Sequence, residues 1–304
     1  MQAIVFEEFG GPEVLRLKDI EEPHAGPGEV RIAVRAIGVN PMDFKVRRGW
    51  FEEFMPTPLP AVPGLEAAGV VDEVGEGATG FARGDEVVGW VTGGAYAEYA
   101  LASNVVRKPA GVSWDQAVAL PVAGETADRV LRELDVKKGE TVLVHGAAGV
   151  VGSLAVQLAV ARGAAVIGTA SSANHDYLRE LGAVPLAYGD GLVERVRAFA
   201  SQGVDAVFDA AGFGALPDSI ELRGGTDRIV TIADMSAPQL GVAMSSAPTT
   251  TPEEMAAVIS SQLAGIADGS LRVRSDSVLP LAEAAKAQQK SEGGHARGKL
   301  VLKP

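Results

Sequence analysis

The stretch that most restricts the fold is TVLVHGAAGVVGSLAVQLAVARGAAVIGTASS, Thr141 to Ser172. An apolar run, TVLVH, meets the glycine-rich loop AAGVVG, and the helical pattern LAVQLAVA follows at once. A second apolar run, AAVIGTA, comes after a glycine stop at Gly163. Strand, tight loop, helix and strand in this order specify two parallel strands joined by a crossover helix. In the loop Ala147 stands where the first glycine of G-x-G-x-x-G would be, and Gly149 and Gly152 hold the other two places. The second glycine lets the backbone approach a pyrophosphate, and the third lets the helix close on the strand. The first helical N–H groups then face the phosphates. Ala147, Ala148, Gly149, Val150, Val151 and Gly152 are therefore candidate cofactor-binding residues. Ala147 demands ordinary backbone angles, so the turn is expected to depart from the usual form. The alternative is a strand–helix turn with no ligand.

The rest of the chain falls into two styles. Short β-rich runs fill the first hundred or so residues: AIVFEEFG, EVRIAVRAIGVN, GVVDEVGEG, DEVVGWV and AYAEYALA. Their close spacing suggests a small barrel or sandwich-like β domain. From SWDQAVALPVAGETADRVLRELDV the apolar spacing turns helical, with Ser113 as N-cap. Beyond Thr141 strands and helices alternate: SANHDYLRELGA and LVERVRAFAS read as helices, VDAVFDAAG and DRIVTIAD as strands. SAPTTTPEE is a polar loop whose Thr or Pro opens a helix, and RVRSDSVLPL and GKLVLKP return to β character. The predicted fold is α/β: residues 1–112 plus 269–304 form a β domain, interrupted by a doubly wound parallel-sheet (Rossmann) domain at 113–268.

The next corner addresses cofactor choice. NAD-selecting sites place a carboxylate about 20 residues past the glycine loop to hold the ribose hydroxyls. Here the chain reads Thr169-Ala170-Ser171-Ser172-Ala173-Asn174-His175, with no carboxylate. Ser171 and Ser172 offer hydroxyls and Tyr177 can lean in, so the pattern favours NADP(H). Simple helix capping is the plain alternative for the serines.

Charge and composition exclude several functions. The net charge of −12 disfavours nucleic acid or an anionic membrane as partner. There is no apolar run of spanning length and no basic-then-apolar leader pattern, so a cytoplasmic protein is expected. With no cysteine, thiolate nucleophiles, disulfides and Cys-bound metals are ruled out. His24, His145, His175 and His295 lack metal-ligand spacing. His145, on an apolar strand, reads as packed, and Tyr96 and Tyr99 as core or edge positions.

Several further stretches carry a resemblance: GVNPMDFKVRRG, VPGLEAAGVVDEVGEGATGFARGDEVVG, GAYAEYALA, ALPVAGETA, VHGAAGVVG and GHARGKLVL. Together, and from end to end, the chain resembles the medium-chain dehydrogenase/reductase superfamily, in its zinc-independent quinone oxidoreductase branch. The resemblance implies a GroES-like β-barrel catalytic domain with a Rossmann domain inserted, and a cofactor in the cleft between them. Positions that carry the catalytic zinc ligands in alcohol-oxidising members hold Asn40, Leu65 and Val122 here, and a tetrahedral zinc site cannot be assembled from them. No metal site is expected. Without a Lewis acid, hydride transfer suits an acceptor that is already electron-poor, a quinone or an α,β-unsaturated carbonyl. The leading reading is an NADPH-dependent quinone reductase. An enone or enoyl (C=C) reductase of one pathway is the alternative, and an NADPH-binding structural or regulatory protein with little turnover is the alternative of another class.

The same resemblance assigns residues. Asn40, Asp43 and Thr126 are catalytic candidates; Asn40 would meet a ribose hydroxyl or the substrate carbonyl, or merely cap a turn before Pro41. Asp43 serves equally as a turn or salt-bridge residue, and Glu66 reads as a structural hydrogen-bonding residue. Trp50, Phe51 and Phe54, with Trp90, are substrate-lining candidates, the first three alternatively core packing. Ala210, Ala211, Ile232 and Ala233 would offer backbone groups to the cofactor, and Arg297 and Lys299 would reach a phosphate or remain surface charges. Related members pair through an edge strand of the Rossmann sheet. Gln239–Ser246 is the candidate here, so a homodimer is expected.

Overall fold

The computed structural model describes residues 1–246, 250–294 and 296–304, so His295 and part of the SAPTTTPEE loop lie outside the described residues. The chain divides into two compact units, Met1–Val122 with Thr251–Pro304, and Ala123–Thr250. The sequence pattern places these divisions after residues 112 and 268.

In the first unit, β1 (Gln2–Val5) pairs with β2 (Arg16–Asp19). The strands β3 (Val30–Val39), β4 (Glu66–Val74), β5 (Glu86–Thr92) and β6 (Tyr99–Arg107) pair antiparallel in succession, and β3 also pairs with β6. Along β3, Val30, Ile32 and Val34 alternate inward with period 2. Register shifts within the β3–β4 pairing let this strand feed two cores: Val30 and Ile32 join Val71 and Val87, while Ile37 and Val39 join Tyr96, Leu300 and Leu302.

The second unit carries β7 (Thr141–His145), β8 (Ala165–Thr169), β9 (Val184–Leu186), β10 (Ala206–Asp209), β11 (Ile229–Thr231) and β12 (Ala243–Met244). They form one six-stranded sheet in the order β12-β11-β10-β7-β8-β9, with every pairing parallel. Relative to its first strand this is the order 3-2-1-4-5-6 of a dinucleotide-binding sheet, with the switch point beside β7 and β10. The helix Val150–Ala161 follows β7, and Gly163 and Gly182 take positive φ where the sequence predicts helix ends.

The helical stretch after Ser113 is not one helix. Ser113 does cap Trp114–Ala117 in a capping box with Gln116, but Pro121 lies in a π-helical turn, Leu120–Gly124, before Glu125–Glu133 resumes. Pro121 has no N–H for an α-helical ladder, and the wider turn absorbs it. Thr251 likewise caps Pro252–Asp268 through a capping box with Glu254. The chain then returns to the first unit as β13 (Ser275–Pro280) and β14 (Lys299–Lys303), and β14 pairs with β3.

Candidate functional site

The second unit presents the loop. The tight turn falls one residue earlier than the motif suggests: Gly146 takes φ +67, and Ala147 keeps an ordinary conformation. Ala147 is fully buried, and its methyl sits where Gly168 on β8 leaves room; a Cβ on Gly168 would come 2.9 Å from it. At Gly152 a Cβ would stand 2.3 Å from the Gly146 carbonyl oxygen and 2.8 Å from the Ala147 Cα, so helix and loop could not close. At Gly149 a Cβ would meet only the Gly146 oxygen, at 3.4 Å. The backbone there is open to an approaching group. Gly149 also opens the helix Val150–Ala161, and no side chain caps that helix. The first-turn N–H groups thus keep the chemistry of an anion cradle, and these residues fit a pyrophosphate.

At the end of β8, Ser171 makes no side-chain cap, against the capping alternative; its Oγ accepts from Asn174 Nδ2 at 3.1 Å. Ser172 is exposed and Tyr177 half-buried. Arg179 is paired with Asp176. At the ends of β10 and β11 the structure narrows an expectation. Asp209 Oδ1 accepts from the Ala211 and Gly212 amides at 2.9 and 3.1 Å, and Thr231 Oγ1 accepts from the Ala233 and Asp234 amides. Ala210 and Ile232 donate to the His145 and Asp209 carbonyls. What Ala210, Ala211, Ile232 and Ala233 can offer a ligand is carbonyl oxygen, not N–H. His145 is buried between Thr169 and Ser219, and burial pushes its imidazole below the usual range. Thr126 is half-buried, 3.4 Å from Arg129 Nη2.

The first unit holds a buried polar node. Helix Pro41–Arg47 starts after Asn40, whose backbone N–H donates to Asp43 Oδ2 at 2.9 Å. Tyr96 Oη donates to the same oxygen at 2.8 Å. Burial drives the Asp43 carboxyl up to about 7, against the hydrogen bonds that favour its charged form. Burial also raises the Tyr96 phenol well above its usual range. Across the node, Asn40 Nδ2 donates to Glu66 Oε1 at 2.8 Å. Lys299 Nζ donates to Asn40 Oδ1 at 2.7 Å and forms an ion pair with Glu66. The Val122 N–H closes the set, donating to Glu66 Oε2 at 2.7 Å. Glu66 has room because residue 38 is glycine: a Cβ there would lie 2.1 Å from Glu66 Oε1.

Lys299 is therefore neither a phosphate ligand nor a surface charge. It is fully buried, and its ammonium is committed to Glu66 and Asn40, because a charge can be buried only when paired. Arg297 is exposed, and its backbone N–H donates to Asp276. Glu66 takes the structural hydrogen-bonding role the sequence suggested. Leu65 is exposed, and the Val122 side chain is aliphatic. Among the described residues no group of His, Cys, Asp and Glu could hold a metal ion.

Trp90 stands opposite Glu66 in the β4–β5 register and is half-buried. Trp50 is 58% exposed and Phe54 84%, so core packing does not explain either; Phe51 is half-buried. Trp50 rests edge-on against Phe44, with ring centroids 5.8 Å apart. The pairing of Lys299 with Glu66 escapes sequence reading. The one local signal is a charged residue at the head of each of two otherwise apolar runs, EAAGVV and KLVL.

A parallel sheet in dinucleotide-binding order, with an open glycine loop and a companion unit of mainly antiparallel strands, defines a nucleotide-dependent α/β protein. Two family models match: the alcohol dehydrogenase GroES-like domain over residues 26–110 and a model described as zinc-binding dehydrogenase over 181–302. The quinone oxidoreductase of Pseudomonas aeruginosa is 34% identical over 99% of both chains. The human quinone oxidoreductase is 31% identical over 99% of this chain and 97% of its own. Among solved structures, a mycobacterial protein complexed with NADPH superposes with a TM-score of 0.89 at 33% identity, and the Escherichia coli quinone oxidoreductase complexed with NADPH with 0.88 at 27%, each over the whole of both chains. The chain belongs to the medium-chain dehydrogenase/reductase superfamily, in its zinc-independent quinone oxidoreductase branch.

Proposed function

We propose that this protein is an NADPH-dependent, zinc-independent oxidoreductase that passes a hydride to a quinone or similar electron-poor acceptor. The observation that carries it is the full-length likeness to quinone oxidoreductases, in a chain whose would-be zinc positions are Asn40, Leu65 and Val122. The bound nicotinamide supplies the hydride. The protein's residues hold, orient and exclude water. Gly149, Val150, Val151 and Gly152, with Ala147 and Ala148 beneath them, cradle the pyrophosphate. Ser171, Ser172 and Tyr177 take the 2′-phosphate, since no carboxylate stands there to repel it. Carbonyls of Ala210, Ala211, Ile232 and Ala233 receive hydrogen bonds from the cofactor. Asn40 and Thr126 serve the reacting end, and Asp43 anchors the helix that follows Asn40. Trp50, Phe51, Phe54 and Trp90 give a flat acceptor aromatic surface.

Three finer points belong to the same reading. Strands β3 to β6 make a small barrel, which the β3–β6 pairing supports. The protein is cytoplasmic; no helix among the described residues is long and apolar enough to cross a membrane. It forms a homodimer through β12, the edge strand of its sheet; of the Gln239–Ser246 segment only Ala243–Met244 is strand, and Gln239 and Leu240 belong to the helix Ala237–Leu240.

The test is NADPH absorbance with a small benzoquinone. The reading expects consumption with NADPH and little with NADH. Turnover of enones but not quinones would move the assignment to a C=C reductase, and NADPH binding without turnover on either panel would leave a binding protein.

A further inference from the structure

His145 is the last residue of β7, and the tight turn of the glycine loop begins at the next residue, Gly146. The buried ring joins two other elements of the second unit. Nδ1 lies 3.1 Å from the Thr169 hydroxyl at the end of β8, and Nε2 lies 2.9 Å from the Ser219 hydroxyl on the helix Leu216–Arg223. The hydrogens along this chain of contacts can be assigned. Ser219 Oγ is 2.6 Å from the Ala215 carbonyl oxygen, and two oxygens that close need a proton between them. A hydroxyl has one hydrogen, so Ser219 spends it on Ala215 and only accepts from the ring. Nε2 therefore carries a hydrogen, and the neutral ring leaves Nδ1 bare to accept from the Thr169 hydroxyl. An imidazolium would set a second N–H against that hydroxyl. Neither carboxylate whose charge reaches the ring is paired with it. Asp209 on β10 spends Oδ1 on the Ala211 and Gly212 amides and Oδ2 on the Thr231 hydroxyl, and Asp218 lies half-buried on the helix Leu216–Arg223. Thr169 in turn holds the loop: its backbone carbonyl accepts the Ala147 N–H at 3.1 Å.

We propose that His145 is a positioning residue for the dinucleotide loop: as the neutral Nε2–H tautomer it pins Thr169, and Thr169 pins Ala147 at the head of the pyrophosphate cradle. A buried ring touches no ligand, so its effect reaches the cofactor only through Thr169 and the loop backbone. This rests on the reading of Ala147–Gly152 as the pyrophosphate site given above.

The test uses the whole chain and compares Thr169→Val, His145→Leu and the two combined, with Gly149→Ala as reference. Thr169→Val keeps the shape and the backbone carbonyl and removes only the hydroxyl that donates to Nδ1. Each single variant should raise the Kd for NADPH about fivefold, the worth of one hydrogen bond. The combination should cost no more than His145→Leu alone, because both break the same link. In turnover with a benzoquinone the loss should fall on the KM for NADPH rather than on kcat. Heteronuclear NMR of the wild-type ring should find Nε2 protonated and Nδ1 bare down to about pH 6, where an ordinary imidazole is mostly charged. An Nδ1–H tautomer, an imidazolium at neutral pH, additive losses in the combined variant, or variants that melt lower yet bind NADPH as the wild type does would overturn the proposal. If His145→Leu does not fold, Thr169→Val and the ring spectrum decide. Gly149→Ala separates two failures. Unimpaired NADPH binding in that variant removes the pyrophosphate reading of the loop and the proposal with it. Impaired binding there, beside wild-type binding in Thr169→Val and His145→Leu, removes only the role of His145.

Discussion

At the residue scale the clearest consequence is electrostatic. Asp43 titrates near 7 in the fold and near 3.8 when unfolded, because its burial disfavours the carboxylate. The folded state therefore binds the extra proton between those values. Its contribution to stability is complete below the unfolded value and is lost as pH rises through about 7. Asp43→Asn keeps an oxygen for the Asn40 N–H and the Tyr96 hydroxyl but cannot ionise. Urea midpoints from pH 5 to 8 should show the wild type weakening relative to Asp43→Asn, with the gap widest at the alkaline end. A flat difference would contradict the assignment. Phe54, at 84% exposure, makes the opposite case. Phe54→Ala should leave the melting transition within about 0.5 kcal/mol of the wild type, the usual range for surface changes. It should raise KM for a quinone severalfold, and an unchanged KM would remove Phe54 from the acceptor surface.

At the scale of the element, the glycine loop shows two glycines doing different jobs. Gly152→Ala forces a methyl into the Gly146 carbonyl and the Ala147 backbone, which cannot step aside without parting helix from strand. A loss of about 1–3 kcal/mol is expected, as for overpacking in a core, along with weaker NADPH binding. Gly149→Ala meets only one oxygen at 3.4 Å, so the fold should tolerate it while the methyl obstructs the pyrophosphate. Thermal melting without cofactor should thus separate the two variants, and NADPH titration should find both impaired. The elements themselves were largely legible. Ser113 announced its helix because a capping box is a local event, and Gly163 and Gly182 ended theirs for the same reason; the SAPTTTPEE loop left Thr or Pro open, and the structure gives the cap to Thr251. Less legible were the π turn at Leu120–Gly124 and the shift of the tight turn to Gly146. Both depend on how the backbone is held by neighbours distant in sequence.

At the scale of the whole molecule, cofactor binding is linked to stability. A ligand that binds only the folded chain adds about 2.7 kcal/mol at one hundred times its Kd. NADPH should raise the melting temperature markedly, and NADH at equal concentration less, since Ser171 and Ser172 stand where an NAD-selecting carboxylate would be. Equal shifts would withdraw the cofactor preference. The amino-acid sequence alone determined the alternation of strand and helix, the glycine loop, the absent carboxylate and the absent metal donors. Each of these is written in residues that lie within a few tens of positions of one another, or in residue types that are simply missing. Only the tertiary structure decided what Lys299 does. Its partners Asn40 and Glu66 lie more than two hundred residues away, and the pairing of β14 with β3 brings the ammonium into a place where water cannot follow. A charge in such surroundings must find its counter-ion, and which counter-ion that is depends on the register of strands, which no local pattern encodes.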